Sequence, residues 1–296
     1  MKKKLSFARV FAHLDRKYGM HFVPDKLCLE LLYRAAMGKK LRLDPPVTFT
    51  EKLQWIKLYD RRDVYTTMVD KIAAKQWAAE KIGAEHIIPT LGTWKHFDEI
   101  DFDALPEQFV LKCNHDSHSA IICRDKMTFD REKARKKLEK SLKKNYYYDS
   151  RQWPYKNVPP MILAEQYLPG DESGDLRDYK FFCFGGVPKL MYVAQGRSAG
   201  AVYGDFFDMD YRHLDLKIDH DTAPVPPEKP QTFEKMREAA AVLSAGIAQV
   251  RADFYELNGE FYFGEMTFFH CGGFYPFTPA EWDETLGSWI ELPEKP

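Results

Sequence analysis

The sequence predicts an α+β fold in which helices come first and antiparallel sheet follows, and three observations predict it. Before Gly83 the apolar residues recur at helical spacing, as in the stripe Leu27, Leu31, Leu32 and Ala35. From His86 the pattern changes to short runs rich in β-branched and aromatic residues, separated by Gly, Pro and Asn turns. The last such run, Val250 to Thr267, reads V-R-A-D-F-Y-E-L-N-G-E-F-Y-F-G-E-M-T, two aromatic strands around an Asn258-Gly259 turn.

Residues 1 to 45 read as a helical extension closed by Pro45-Pro46, an accessory cap. Thr48-Phe-Thr-Glu51 has capping-box spacing and opens a helix through Leu53, Ile56 and Leu58. A second helix is expected from about Tyr65 to Ile82, ending at Gly83. Strands are expected over His86 to Leu91, Phe109 to Cys113 and Ala120 to Arg124, the last two joined by a polar loop, Asn114 to Ser119. Residues 129 to 144 form a basic helix, read first as a solvated face and second as an anion-binding surface. Met161 to Leu168, Asp178 to Phe184 and Lys189 to Val193 continue the antiparallel pattern, with Gly185-Gly186 as a turn. A proline-rich stretch, 224 to 230, precedes a helix over Phe233 to Ala245 that packs against the final hairpin.

The 296 residues, 45% hydrophobic, suffice for a large core or for lobes around a cleft. Lys plus Arg (43) balance Asp plus Glu (44), so no global field draws the chain to nucleic acid, and an anionic ligand needs a local site. Five cysteines, widely spaced and without C-x-x-C, argue against disulfides and structural zinc and for a reducing, cytoplasmic setting. The start Met1-Lys-Lys-Lys-Leu5 is basic, but Ser6, Arg9, His13, Asp15 and Arg16 interrupt the apolar residues too early for a signal sequence or membrane span. Weak contact with a membrane surface stays open, a solvated helix being the simpler reading.

The acids of the hairpin carry the first chemical signal. A three-residue loop, Leu257-Asn258-Gly259, would pair Glu256 with Glu260 and Asp253 with Phe263, placing Asp253 and Glu265 diagonally on one face beside Arg251 and Thr267. A two-residue Asn-Gly loop would send the two acids to opposite faces. Two carboxylates on one rigid face favour a cation between them, and such hard oxygen ligands suit magnesium with nucleotide phosphates. The plainer alternative is a surface hairpin whose Arg251 pairs with its neighbouring acids. Lys112 in V-L-K-C and Lys180 in D-Y-K-F-F are lysines within apolar strands, where an unpaired ammonium costs several kcal/mol. Each is either an edge residue with its amine in solvent or a binding group.

In order along residues 46 to 292, T-E-K-L-Q-W (50 to 55), D-K (70 to 71), L-K-C-N-H-D-S (111 to 117), D-Y-K-F-F-C-F (178 to 184), R-A-D-F-Y (251 to 255), F-G-E-M-T-F (263 to 268) and E-W-D-E-T-L-G-S-W-I (281 to 290) resemble the TupA-like group of ATP-grasp enzymes, linked to teichuronopeptide and surface-polysaccharide synthesis. The resemblance implies two lobes of antiparallel sheet clamping ATP, the smaller within 46–160 and the larger, with the metal site, within 161–296. It implies that Lys71 and Lys112 contact the α- and β-phosphates. The Asn114 to Ser119 loop, with His115 and Ser117, would cover the phosphates, although His118 and Ser119 stand where relatives are richer in glycine. Glu165, Gln166, Tyr167 and Leu168 would read adenine through their backbone, and Asp178 would hold the ribose. Lys180, Arg197 and Arg251 would neutralise the transferring phosphoryl group, and Asp253, Glu265 and Thr267 would ligate magnesium, Thr267 standing where many relatives carry asparagine. The turn His270-Cys271-Gly272-Gly273 would line the acceptor pocket. Cys271 reads as a spectator thiol, and His115 and His270 are the histidines of most interest.

The activity implied is an ATP- and magnesium-dependent carboxylate-amine ligase working through an acyl phosphate. An amino acid and a uronic acid-containing surface glycan or its precursor are the implied substrates. A kinase acting on a sugar hydroxyl, and a nucleotide-binding scaffold for glycosyltransferases, are the alternatives.

Overall fold

In a computed structural model, which describes residues 7–170, 175–196 and 200–295, the chain is an α+β protein built on two antiparallel sheets. The N-terminal helices are α1 (Phe7–Tyr18) and α2 (Asp25–Met37), followed by α3 (Phe49–Tyr59), α4 (Val64–Val69) and α5 (Ala73–Ile82). The smaller sheet has four strands in the order β1 (Thr90–Trp94), β4 (Ile162–Gln166), β2 (Phe109–Cys113), β3 (Ile121–Cys123), backed by α6 (Arg131–Leu142). The larger has six, in the order β10 (Glu260–Thr267), β9 (Gln249–Leu257), β5 (Asp178–Phe184), β6 (Val187–Gln195), β7 (Tyr203–Phe207), β8 (His213–Leu214). Helices α7 (Phe233–Ser244) and α8 (Trp282–Ser288) complete the chain.

The capping box forms as the spacing predicts: Thr48 accepts from the Glu51 amide and Glu51 reaches back to the Thr48 amide. Three expectations need correction. The stripe on α2 is rotated, because Leu27 is exposed and the buried residues are Cys28, Leu29 and Tyr33. The expected single helix from Tyr65 to Ile82 is broken at Asp70 to Ile72, where the Lys71 amide turns away to the Asn114 carbonyl at 3.1 Å. The strand expected over His86 to Leu91 begins only at Thr90, after a short 3-10 turn over Ala84–His86.

Helices α1 and α2 are more than a cap. Arg151, only 1% exposed, donates to the Met20 carbonyl and lies near Asp15 and Asp25, while Arg61 bonds Asp25 at 2.8 Å. Lys57 is fully buried, and its ammonium donates to Gln54 Oε1, the Ser150 carbonyl and the Gly272 carbonyl at 2.9, 2.9 and 2.7 Å. Three acceptors satisfy its three donors, so the cation is tolerated without a carboxylate in contact. Burial nevertheless drives its pKa well down.

The larger sheet sorts its residues by the two-residue period of a strand. Tyr179, Phe181, Cys183, Ala252 and Phe254 are buried, and Phe181 meets Phe233 of α7. The intervening residues Asp178, Lys180, Arg251, Asp253, Glu265 and Thr267 share the opposite face, with Lys180 directly opposite Asp253.

Candidate functional site

The hairpin reaches that arrangement by a route other than the expected one. Its turn is the two-residue kind: Leu257 pairs with Glu260, and Asn258 (φ 54°) and Gly259 (φ 76°) both lie in the left-handed region. The expected pairing of Asp253 with Phe263 is therefore wrong, and Phe263 faces Phe254. The register then shifts by one at Gly264, and the bulge sets Glu265 directly opposite Asp253 and Thr267 opposite Arg251. A Cβ at Gly264 would stand 3.1 Å from the Asp253 carbonyl oxygen, so the bulge brings backbone against backbone.

Around this pair lies a dense ion network. Arg251 grips Asp253 in a two-pronged bond, Nε to Oδ1 and Nη2 to Oδ2, each 2.7 Å. Lys180 donates to Asp178 Oδ2 at 2.5 Å and to Asp253 Oδ2 at 2.7 Å. Neither solvent-exposed lysines nor a surface hairpin describes these residues: Lys180, Arg251 and Asp253 are all buried. Burial alone would lower the Arg251 pKa, but Asp253 outweighs it and holds the guanidinium charged. Glu265 is looser, with a third of its side chain exposed (33%), Lys71 Nζ at 3.4 Å and Arg251 Nη2 at 3.8 Å. Burial pushes the Glu265 pKa up and Asp253 adds to that, but Lys71, Lys180 and Arg251 together pull it below the usual carboxylate range. Thr267 Oγ1 accepts from Arg251 at 3.1 Å and donates to Glu265 at 3.3 Å.

The break between α4 and α5 puts Lys71 at the junction of the two sheets. Its ammonium donates to the Asp116 carbonyl at 2.6 Å in the loop after β2, and its other partner is Glu265, not the sequence neighbour Asp70. Lys112 bonds Glu165 at 2.5 Å, and Lys75 bonds the same carboxylate at 2.8 Å and the Ile88 carbonyl at 2.5 Å. Burial raises the Glu165 pKa, and Lys112 and Lys75 more than reverse that. So the Glu165 side chain has a part of its own, beyond its strand's backbone, in holding two ammonium groups together. Sequence reasoning missed Lys75; its signal was the one-turn spacing from Lys71 in D-K-I-A-A-K.

The remaining candidates divide. Ser117 is half-buried in the loop, whereas His115 is buried, its Nε2 near the Ser141 and Lys144 carbonyls at 3.3 and 3.1 Å, so it fastens the loop to α6. Ser119 donates to Asp116 at 2.5 Å and accepts from the Cys113 amide, which stiffens the loop without glycine. Gln166 is exposed with its amide bonded to the Pro89 carbonyl, Tyr167 is half-buried, and Leu168 is buried. Asp178 joins Lys180 within the ion network. Arg197 lies outside the described residues.

Beyond the network the chain turns through His270 and Cys271. His270 Nδ1 faces Arg251 Nη1 in a short contact, and since guanidinium only donates, Nδ1 accepts and the proton sits on Nε2. Burial, then Arg251, Lys180 and His220, lower the His270 pKa well below its ordinary value, so the ring is neutral. Cys271 (φ 49°) places Sγ 3.5 Å from His270 Nε2 and 3.8 Å from Asp219 Oδ2. Burial and Asp219 push the thiol pKa up to about 12, and a ring nitrogen that carries a proton is no base for it, in keeping with a spectator thiol.

Two groups of side chains could be asked to hold a metal. Asp253 and Glu265 offer hard oxygens of the kind that suit magnesium; Glu265, a third exposed and loosely held, is the one within reach of a cation, whereas both Asp253 oxygens are taken by Arg251 and Lys180. Asp219, His270 and Cys271 also converge, their ligand atoms lying within 4.8 Å of one another. The protonated Nε2 leaves that cluster without its imidazole lone pair, so it does not fit. Among the described residues no helix is long and apolar enough to cross a membrane.

The sequence profile of the family described as TupA-like ATPgrasp matches residues 51–291. Among solved structures, the chain is similar to D-alanine–D-alanine ligase from Bacillus anthracis complexed with ATP (14% identity, TM-score 0.39, 75% of this chain and 57% of that one). It is also similar to D-alanine–D-alanine ligase from Helicobacter pylori (14%, 0.41, 82% and 69%) and to the ATP-grasp ligase PsnB complexed with minimal precursor (7%, 0.39, 74% and 59%). The chain thus spans little more than half the length of the B. anthracis ligase. No curated protein matches the sequence.

Proposed function

Since the chain belongs to the TupA-like ATP-grasp family, we propose that it is an ATP- and magnesium-dependent ligase that activates a carboxylate as its acyl phosphate and joins it to an amine. The observation that carries this reading is the convergence, on one sheet face, of Arg251, Lys180 and Lys71 with the paired acids Asp253 and Glu265. Few ligands other than a metal-bound polyphosphate need both signs of charge so close together. Lys71, Lys75 and Lys112 would receive phosphate oxygens in exchange for the carboxylates that hold them now. Asp178 would meet the ribose, and the 165–168 strand the adenine. Asp253 and Glu265, with Thr267, would hold magnesium, which supplies neutralisation of the polyphosphate charge.

In the first step a carboxylate oxygen of the substrate forms a bond to the γ-phosphorus, and the bond from that phosphorus to the β,γ-bridging oxygen breaks with its electron pair, releasing ADP. Arg251, held by Asp253, and Lys180, held by Asp178 once magnesium takes its place on Asp253, neutralise the charge on the transferring group. For the substrates we propose an amino acid and a uronic acid-containing surface glycan or its precursor, acting in the cytoplasm. A kinase acting on a sugar hydroxyl would use the same nucleotide site. Hydroxylamine separates the two: with ATP, magnesium and a pool of uronic and amino acids, an acyl phosphate is trapped as a hydroxamate. A phosphorylated sugar, with no hydroxamate from any acid, would overturn the ligase reading.

A further inference from the structure

Past the ion network lies one more carboxylate. Asp219, in the segment after β8, has one carboxylate oxygen bonded by the Tyr192 hydroxyl at 3.1 Å. The other, Oδ2, has only weak company: Cys271 Sγ at 3.8 Å and His220 Nε2 at 3.5 Å, both longer than a strong hydrogen bond. Its side chain keeps 21% of its surface open. The nearby cations are engaged elsewhere: Arg251 and Lys180 are bound to Asp253 and Asp178, and Lys217 pairs with Asp221. A continuous line of contacts, Arg251 to His270 to Cys271 to Asp219, leads from the proposed phosphoryl-transfer centre to this carboxylate, and its middle members are uncharged. The left-handed backbone of Cys271 and Gly272 (φ 63°) fixes that line, and Lys57 and Gln54 bind the carbonyls of Gly272 and Gly273.

We propose that Asp219 is the subsite for a primary ammonium group, the form in which the attacking amine arrives. The assignment rests on the ligase reading and deepens it. Arg251, Lys180 and Lys71 would receive an anionic acyl phosphate, which Asp219 would repel; Asp219 attracts an ammonium ion to the neighbouring position. One ammonium proton passes to the Asp219 carboxylate. The freed nitrogen lone pair forms the C–N bond to the acyl carbon, and the C–O bond to phosphate breaks with its electron pair. The second proton leaves nitrogen with the departing phosphate, and Asp219 later returns its own to water.

The test uses the Cys271 thiol as a reporter beside Asp219, since Cys28, Cys113, Cys123 and Cys183 are all buried. The probes are 2-aminoethyl, 2-sulfonatoethyl and methyl methanethiosulfonate, each rate at Cys271 normalised to its rate with β-mercaptoethanol and read by peptide mass. The wild type should label about tenfold faster with the ammonium reagent than with the methyl reagent, the preference expected of one unit charge a few ångströms away at a partly wet site. In Asp219→Asn, whose amide oxygen still accepts from Tyr192, that ratio should fall to about unity. Should the variant misfold, added salt must shrink the wild-type preference. Equal ratios in wild type and variant, a preference indifferent to salt, or no labelling of Cys271 by any probe would each overturn the assignment. Hydroxamate trapping in the wild type keeps the two readings apart: a cation preference without hydroxamate removes the ligase and leaves the subsite, while hydroxamate without the preference does the reverse.

Discussion

Glu165→Gln isolates a buried carboxylate that holds two ammonium groups together. Lys112 and Lys75 approach it at 2.5 and 2.8 Å, with side chains 17% and 13% exposed and the carboxylate 7% exposed. Removing one partner of such a buried pair costs about 3–5 kcal/mol. The lower end applies here, since Gln still accepts from one lysine and Lys75 keeps the Ile88 carbonyl. A loss of about 3 kcal/mol corresponds to a fall of roughly 5 °C in Tm for a chain of this size. The sign with pH follows from the lowered Glu165 pKa: the contribution is complete above the unfolded value of 4.5 and is lost as pH falls through the folded one. Wild type and variant should therefore differ fully at pH 7 and converge in acid. Phosphate oxygens would replace the missing charge, so the rise in Tm on adding ATP and magnesium should be larger in the variant than in wild type. Differential scanning fluorimetry across pH, with and without nucleotide, measures both quantities. A variant within about 1 kcal/mol of wild type, or one whose nucleotide shift is no larger, would refute the reasoning.

Glu265→Gln should lower magnesium-dependent ADP release by orders of magnitude while changing stability by less than about 1 kcal/mol, because its carboxylate is partly exposed and its ion pairs are long. Turnover within twofold of wild type would sink it, and combining it with Asp253→Asn should cost less than the sum, since both acids serve one ion. Gly264→Val should remove the same activity by forcing a side chain against the Asp253 carbonyl, at a cost of about 1–3 kcal/mol in stability; unchanged ADP release would show that the bulge does not set the acids. His270 is neutral in the folded chain and its pKa is depressed, so below pH 6.5 the unfolded chain binds a proton that the native one refuses, and stability falls by about 1.4 kcal/mol per pH unit. Urea midpoints at pH 5.5 and 7.5 should show His270→Asn, which keeps an acceptor for Arg251, losing that slope; an unaltered slope would place the titration elsewhere.

Much of this was legible from residue order. The capping box, the strands at Phe109, Met161 and Asp178, and the pairing of Asp253 with Glu265 on one face all follow from local pattern. The pairing emerged through two errors that cancelled. The loop is shorter by one residue than expected, and a bulge adds the residue back; a glycine inside an aromatic strand was the visible sign of that bulge. The break at Lys71 left no such sign, because a residue 43 positions away, Asn114, takes its amide hydrogen. Nor does spacing decide whether Lys112 and Lys180 meet solvent or acids, since that depends on which strands pair with them.

The buried ammonium of Lys57 carries a consequence for how the protein is made. Its acceptors come from residues 54, 150 and 272, and Thr50 of the same helix bonds Asp283 of α8. The turn that follows the acid hairpin is therefore fastened to a helix synthesised more than two hundred residues earlier. A nascent chain that has emerged only through β9 carries Lys57 without the Gly272 carbonyl, and these contacts, among the most distant in sequence, are slow to form. The site is thus complete only once residue 272 has been made, and a polypeptide cut short before it should hold an unfinished site, however well its sheets have assembled.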